Sequence, residues 1–319
     1  MKKLTYLVSA IAAAFSANAY ADISVSGSAG LGYVNDATGD NNLVNSAAIS
    51  FAMSTTTSGG LGISAAMGLS VSPTAENSST GTGGQTLTFT TGGSTVKMGD
   101  IEIADTPGSV GGVAGANTVE NSALSNSVAG GFVDDDGQGI LLTTGVGAAT
   151  VTIGHIWSTA STDDSNVNIT DATADATAFG VSVPVGGWTL SAGTATHNDT
   201  AESSGISVSG AVGGGTLTVG YGTQKTPAKV SATYTNSTAA GDANVMGATY
   251  SMALDADTSV AIGYKNKKDQ DDDKYTQIDA SASRSLGGGA SVYVDMRSLT
   301  SSTATQAGTA FGFGTSVSF

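Results

Sequence analysis

The sequence predicts an all-β fold, a closed, sixteen-stranded antiparallel transmembrane β-barrel. Three observations carry that expectation. Apolar residues alternate with small or polar ones, at period two, in segment after segment. Short glycine or aspartate turns alternate along the chain with long polar connections. The composition disfavours both helices and a thick aqueous core: of 319 residues 45 are Gly and only 12 % are charged, and Gly and Thr are weak helix formers.

The chain opens with "MKKLTYLVSAIAAAFSANAYA", which has a basic start at Lys2 and Lys3, an apolar stretch from Leu4 to Phe15, and a small-x-small end at Ala19-Tyr20-Ala21. This is the pattern of a bacterial secretory signal. The expected division is a signal peptide over 1–21 and a barrel domain over 22–319. The net charge is −15 for the whole chain and −17 once Lys2 and Lys3 are removed. That balance argues against nucleic acid as a partner, because phosphate binding needs clustered Lys and Arg. The absence of Cys excludes disulfides and thiolate metal sites.

The strands follow in order. "ISVSGSAGLGY" sets Ile23, Val25, Leu31 and Tyr33 on one face against serines on the other. Ile49, Phe51 and Met53 repeat the pattern, as do Leu61, Ile63, Met67, Leu69 and Val71, and then Val151, Ile153, His155 and Trp157. "WTLSAGTA", "TLTVGYG", "SVAIGYK" and "ASVYVDM" continue it. Such alternation describes strands with two different environments.

Short turns centre near residues 59, 93, 147, 186, 214, 256 and 288, where Gly-Gly, Val146-Gly147 or Asp-x-Asp sequences suit tight hairpins. Long polar stretches lie between them, near 36–42 and over 73–83, 101–138, 158–172, 198–203, 225–241, 268–273 and 300–308. Seven short turns, with both termini on their side, make eight hairpins and sixteen strands. A sandwich or solenoid does not require short turns at one end and long loops at the other. A closed barrel in a membrane does, and it satisfies every backbone group in lipid without an edge.

The C-terminus, "TAFGFGTSVSF", puts Phe311, Phe313, Val317 and Phe319 on one face and Gly312, Gly314, Ser316 and Ser318 on the other. It resembles the C-terminal signature of bacterial outer-membrane proteins, which the barrel-assembly machinery reads, so Phe311, Phe313 and Phe319 are the expected assembly signal. A second stretch, "GGSTVKMGD" (Gly92–Asp100), precedes the longest interval between short turns. It resembles the turn that leads into the third long loop of sixteen-stranded general porins of the alphaproteobacterial, Rhodobacter-like type. The resemblance covers residues 22–319 in layout, with residue-level motifs confined to these two stretches. It implies an outer-membrane homotrimer, passive diffusion of small hydrophilic solutes and ions, and an inward-folded third long loop.

That loop is assigned to 101–139, where one turn-to-turn interval is 54 residues against 28 to 42 for the others. Its carboxylates, Glu102, Asp105, Glu120, Asp134, Asp135 and Asp136, stand without any Lys or Arg and are the expected acidic side of a pore constriction. Alternation turns Lys97, Lys265, Lys267, Asp295 and Arg297 to the lumen wall, with Tyr293 beside them. General porins of this type carry a denser, Arg-rich basic cluster, whereas this chain has Arg284 and Arg297 alone. The expectation is therefore a weakly charged, weakly cation-preferring channel. Arg284 reads as outward near a turn.

Tyr33, Trp157, Tyr221 and Tyr264 fall near the long-loop ends of their strands, and Trp188 with Phe311 or Phe319 nearer the short-turn ends, as membrane-interface girdles do. Acidic clusters at Asp134–Gly139, Asp163–Asp164 and Asp269–Asp273 raise loop-bound Ca2+ as a minor reading; none matches the calcium-loop pattern. A solvated acidic face is the default, and no cofactor is expected. With His155 and His197 as the only histidines, and without hydrolase, zinc-protease or P-loop motifs, nothing points to an enzyme. The alternative is a Gly/Ser/Thr-rich surface adhesin or structural layer protein, which would need neither a lipid stripe nor a terminal Phe.

Overall fold

The computed structural model describes residues 22–35, 41–74, 77–102, 136–157, 176–197, 201–226, 241–268, 272–301 and 307–319. They form sixteen strands: β1 (Asp22–Asn35), β2 (Asn41–Thr56), β3 (Gly62–Thr74), β4 (Asn77–Thr91), β5 (Ser94–Glu102), β6 (Asp136–Val146), β7 (Ala149–Ile156), β8 (Ala176–Val185), β9 (Trp188–His197), β10 (Ala201–Val212), β11 (Gly215–Thr226), β12 (Gly241–Ala253), β13 (Thr258–Lys268), β14 (Lys274–Gly287), β15 (Ala290–Ser301) and β16 (Gly308–Ser318). Each pairs antiparallel with its neighbours in sequence, and β16 pairs with β1 to close the barrel. Closure leaves no exposed sheet edge.

All seven short turns stand where the glycine and aspartate pairs predict them. Gly186 and Gly187, for example, have φ of 57° and 85°, a left-handed pair that L side chains rarely adopt and that matches the twist of a two-residue hairpin. The expected signal peptide over 1–21 lies outside the described residues; β1 begins at Asp22.

The faces separate by polarity. The alternating positions Ile23, Leu31, Ile49, Ile153, Ile206, Ile262 and Val294 are exposed on the outer surface, where a lipid bilayer supplies the apolar environment they lack in water. One expectation fails in detail. The stretch 73–83, read as a loop from its polarity, is mostly strand: β3 and β4 remain paired from Val71↔Thr80 to Thr74↔Asn77. A hairpin that projects beyond the hydrocarbon zone needs no apolar stripe, so its Ser, Thr and Gly content does not mark a break.

The inner wall is also less uniformly polar than alternation implied. Ile101, Leu141, Ile156, Ala176, Ala178 and Ala195 form a buried apolar cluster across β5 to β9. Register fixes it to the inner face, since Leu141 is opposite Lys97 and Gly139 is opposite Ile156. Alanine hid this patch in the sequence, because a small residue suits either face.

Candidate functional site

The site is the inner wall, and β13 to β15 carry its charged part. On β13, Ile262 and Tyr264 are exposed outside while Lys265 is buried. On β15, Val292, Val294 and Met296 are exposed outside while Asp295 and Arg297 are buried. The register sets Lys265 opposite Gln277, Asp279 opposite Arg297, and Asp295 opposite Gly312. Thus Lys265, Asp295 and Arg297 fall on the inner face as expected, and so does Lys267, which is opposite Tyr275 and Val245. Lys97 shares the inner face with Leu141, some strands away.

The geometry ties these side chains together. Arg297 Nε donates to Asp279 Oδ1 at 2.8 Å, and Gln277 Nε2 donates to Asp279 Oδ2 at 2.6 Å. Asp279 is 1 % exposed and Arg297 7 %. Asp295, 2 % exposed, has no hydrogen-bond partner of good geometry on either carboxylate oxygen. Asp279 and Gln277 were missed in the sequence, although the signal was there: in "YTQIDAS" they alternate with Ile278, which is exposed on the outside.

The expected acidic side of the constriction divides. Glu102 and Asp136 are not loop residues: they end β5 and begin β6, and they are register partners. The ladder runs two residues into the 101–139 stretch on β5 and four on β6, because backbone pairing is indifferent to charge at the rim. Asp105, Glu120, Asp134 and Asp135 lie outside the described residues. Among the described residues, no group of three or more His, Asp or Glu side chains could hold a metal ion.

The rims carry the aromatic girdles. Trp157, Tyr221 and Tyr264 are exposed outside near the long-loop ends, and Trp188 near the short-turn end. His155 also faces outward; its Nδ1 is 2.9 Å from Thr177 Oγ1 and its ring meets Trp157 edge-on at 5.0 Å. Phe311 belongs with the upper group, because it is opposite Asn35 and its ring lies 6.2 Å from Tyr33. Phe319 alone of the terminal phenylalanines reaches the lower rim, where its backbone exchanges hydrogen bonds with Gly27. Arg284 is held in a turn: its Nη1 donates to Thr258 Oγ1 at 2.7 Å and lies 3.4 Å from Asp255 Oδ2.

An apolar belt between aromatic rims, around a closed barrel with charged groups inside, is the architecture of a channel in an outer membrane. The sequence profile of the Gram-negative porin family matches residues 7–304. The chain belongs to the Gram-negative porin family. Several solved porins share its fold at low identity. An anion-selective porin from Comamonas acidovorans superposes with a TM-score of 0.66 at 14 % identity, over 94 % of this chain and all of that one. The trimer form of OmpT from Vibrio cholerae gives 0.70 at 10 %, over 94 % and 99 %. A variant of the Rh. blastica porin gives 0.60 at 15 %, over 93 % and 100 %. No curated protein matches the chain. This porin is accordingly an outer-membrane protein, and the adhesin alternative falls.

Proposed function

We propose that this porin is a water-filled channel for passive diffusion of small hydrophilic solutes and ions, that it works as a homotrimer, and that residues 103–135 fold inward to narrow it. Three facts support this reading. The OmpT structure is described as a trimer. The outer belt is apolar where a bilayer would cover it. The buried apolar cluster around Ile101 and Leu141 lies on the inner wall beside the strand ends, Glu102 and Asp136, from which that segment leaves and returns. A lumen wall facing water has no use for isoleucine and leucine, whereas a segment folded against it does.

The weak cation preference rests on charge. The described wall carries Lys97, Lys265, Lys267 and Arg297 against Asp279 and Asp295, and the buried Arg297–Asp279 pair cancels internally. The wall alone therefore leans basic, and preference for cations depends on Asp105, Glu120, Asp134 and Asp135. An anion-selective relative on the same fold fits the view that side-chain charge, not the barrel, sets the sign. Reversal potentials under a salt gradient in planar bilayers test it. The wild type should favour cations, and replacing these four acids by their amides should remove or invert the preference. Clear anion preference in the wild type would overturn the charge assignment.

A further inference from the structure

The inner wall holds a recess that the channel reading does not require. It lies toward the short-turn end of β10 to β15, has a volume of about 750 Å3, and is lined by hydroxyls from Thr216, Thr249, Ser251, Ser259, Ser281 and Ser283. Ser259 and Ser283 meet at 2.8 Å between their Oγ atoms. Among the described residues, no charged side chain lines it.

Tyr293 forms its edge. The ring does not project into the lumen; it runs sideways along the wall, over β16 toward β1. A Cβ on Gly314 would lie 2.2 Å from the Tyr293 hydroxyl oxygen and 2.5 Å from Cζ, and one on Gly32 would lie 2.8 Å from the hydroxyl. Only glycine at both positions lets the ring lie this close to the backbone. The half-buried ring lies along the wall over this glycine floor, at the border of the recess. One step along the strand on the same face, Asp295 is opposite Ser281, which lines the recess. Its carboxylate is buried in the wall and faces the Gly312 backbone, so it acts on the recess through its charge and not by contact.

An aromatic face and a floor of hydroxyls suit one kind of solute. The C–H face of a sugar ring covers the aromatic surface, and its hydroxyls exchange hydrogen bonds with Ser and Thr. An anion would meet Asp295. A cation would feel Lys265 and Arg297 on the same inner wall. The geometry points to a low-affinity subsite for small, neutral, polyhydroxylated solutes, with Tyr293 as its platform. This rests on the channel reading and adds a solute class to it.

The test uses the purified full chain in planar bilayers, with ion current recorded as sucrose is added. Sucrose should lower the current with a saturating dependence, whereas a polyethylene glycol of similar size lowers it linearly. Tyr293→Ala should raise the half-saturating concentration about tenfold, the loss of one aromatic contact, and Tyr293→Phe should stay within about twofold because the ring remains. If Tyr293→Ala fails to insert, the Ser259→Ala/Ser283→Ala pair decides, with an expected weakening of about threefold or more. An open channel whose sucrose response does not saturate, or saturates identically in these variants, overturns the subsite alone. A folded barrel that carries no ion current overturns the channel reading with it.

Discussion

Arg297 and Asp279 form a buried ion pair on adjacent strands of the inner wall, 2.8 Å apart, with Gln277 completing the hydrogen bonds of the carboxylate. Neither charge can be left alone there, since an uncompensated buried ion costs far more than the intact pair contributes. Asp279→Ala should destabilise the barrel by about 3–5 kcal/mol, read as the shift in urea unfolding in detergent micelles. Replacing both residues, Asp279→Leu with Arg297→Met, should recover most of that loss. A single variant as stable as the wild type would mean that water reaches the pair.

The apolar cluster at Ile101 and Leu141 makes a second expectation sharp. If 103–135 packs on it, deleting residues 110–130 should raise single-channel conductance and expose the cluster to the lumen. Ile101→Glu should act in the same direction without a deletion, because a carboxylate cannot be seated under an apolar contact. Unchanged conductance in both would remove the constriction from this segment.

The barrel was legible in the sequence because its two determinants are both periodic. Alternation fixes which face a residue takes, and glycine or aspartate pairs fix where hairpins reverse; Lys265, Asp295 and Arg297 could therefore be placed without coordinates. The failures have two physical origins: polarity is a poor sign of position, and height along the barrel depends on register. β3 and β4 remain a ladder through polar residues 71–80, Glu102 and Asp136 pair as strand residues, and Phe311 belongs to the long-loop rim. Register between strands, which sets heights along the barrel, leaves no trace in one-strand patterns. Nor does the glycine floor beneath Tyr293, because Gly32 and Gly314 meet only when the barrel closes.

The two tryptophans offer a direct check of orientation. Trp157 and Trp188 are both exposed on the outer face, near opposite rims. In single-tryptophan variants reconstituted in vesicles, both should be quenched by lipids brominated near the headgroup and spared by iodide in the lumen. Quenching by iodide alone would place them inside and reverse the assignment of faces along β7 and β9.

The turn between β12 and β13 should respond to acid. The carboxyl of Asp255 is held below its ordinary value, first by the Asp257 backbone N–H and then by Thr258, with Arg284 nearby. Because the folded value is the lower one, its contribution is complete above the unfolded pKa of 3.8 and is lost as pH falls through the folded value. The wild type should therefore lose part of its unfolding midpoint as pH falls below the unfolded value of 3.8. Asp255→Ala should lie lower at neutral pH and show a shallower fall. An identical acid dependence in both would remove Asp255 from the account.

Phe319 completes the seam between β16 and β1. Phe319 exchanges two backbone hydrogen bonds with Gly27, at 2.8 and 3.0 Å, and its ring covers that glycine so closely that a Cβ there would stand 2.5 Å from Cζ. The same seam is held higher up by Tyr33 against Phe313, with ring centroids 5.4 Å apart. Removing Phe319 strips the lower seam of both its backbone pairing and its aromatic cover. Gly27→Val keeps the pairing but displaces the ring. If the seam is what assembly reads, both variants should lower the yield of heat-modifiable, folded barrel in the outer membrane, the deletion more than the valine. Those molecules that do insert should conduct as the wild type does, since neither residue faces the lumen. Normal yield with altered conductance would place the role of Phe319 in the pore instead.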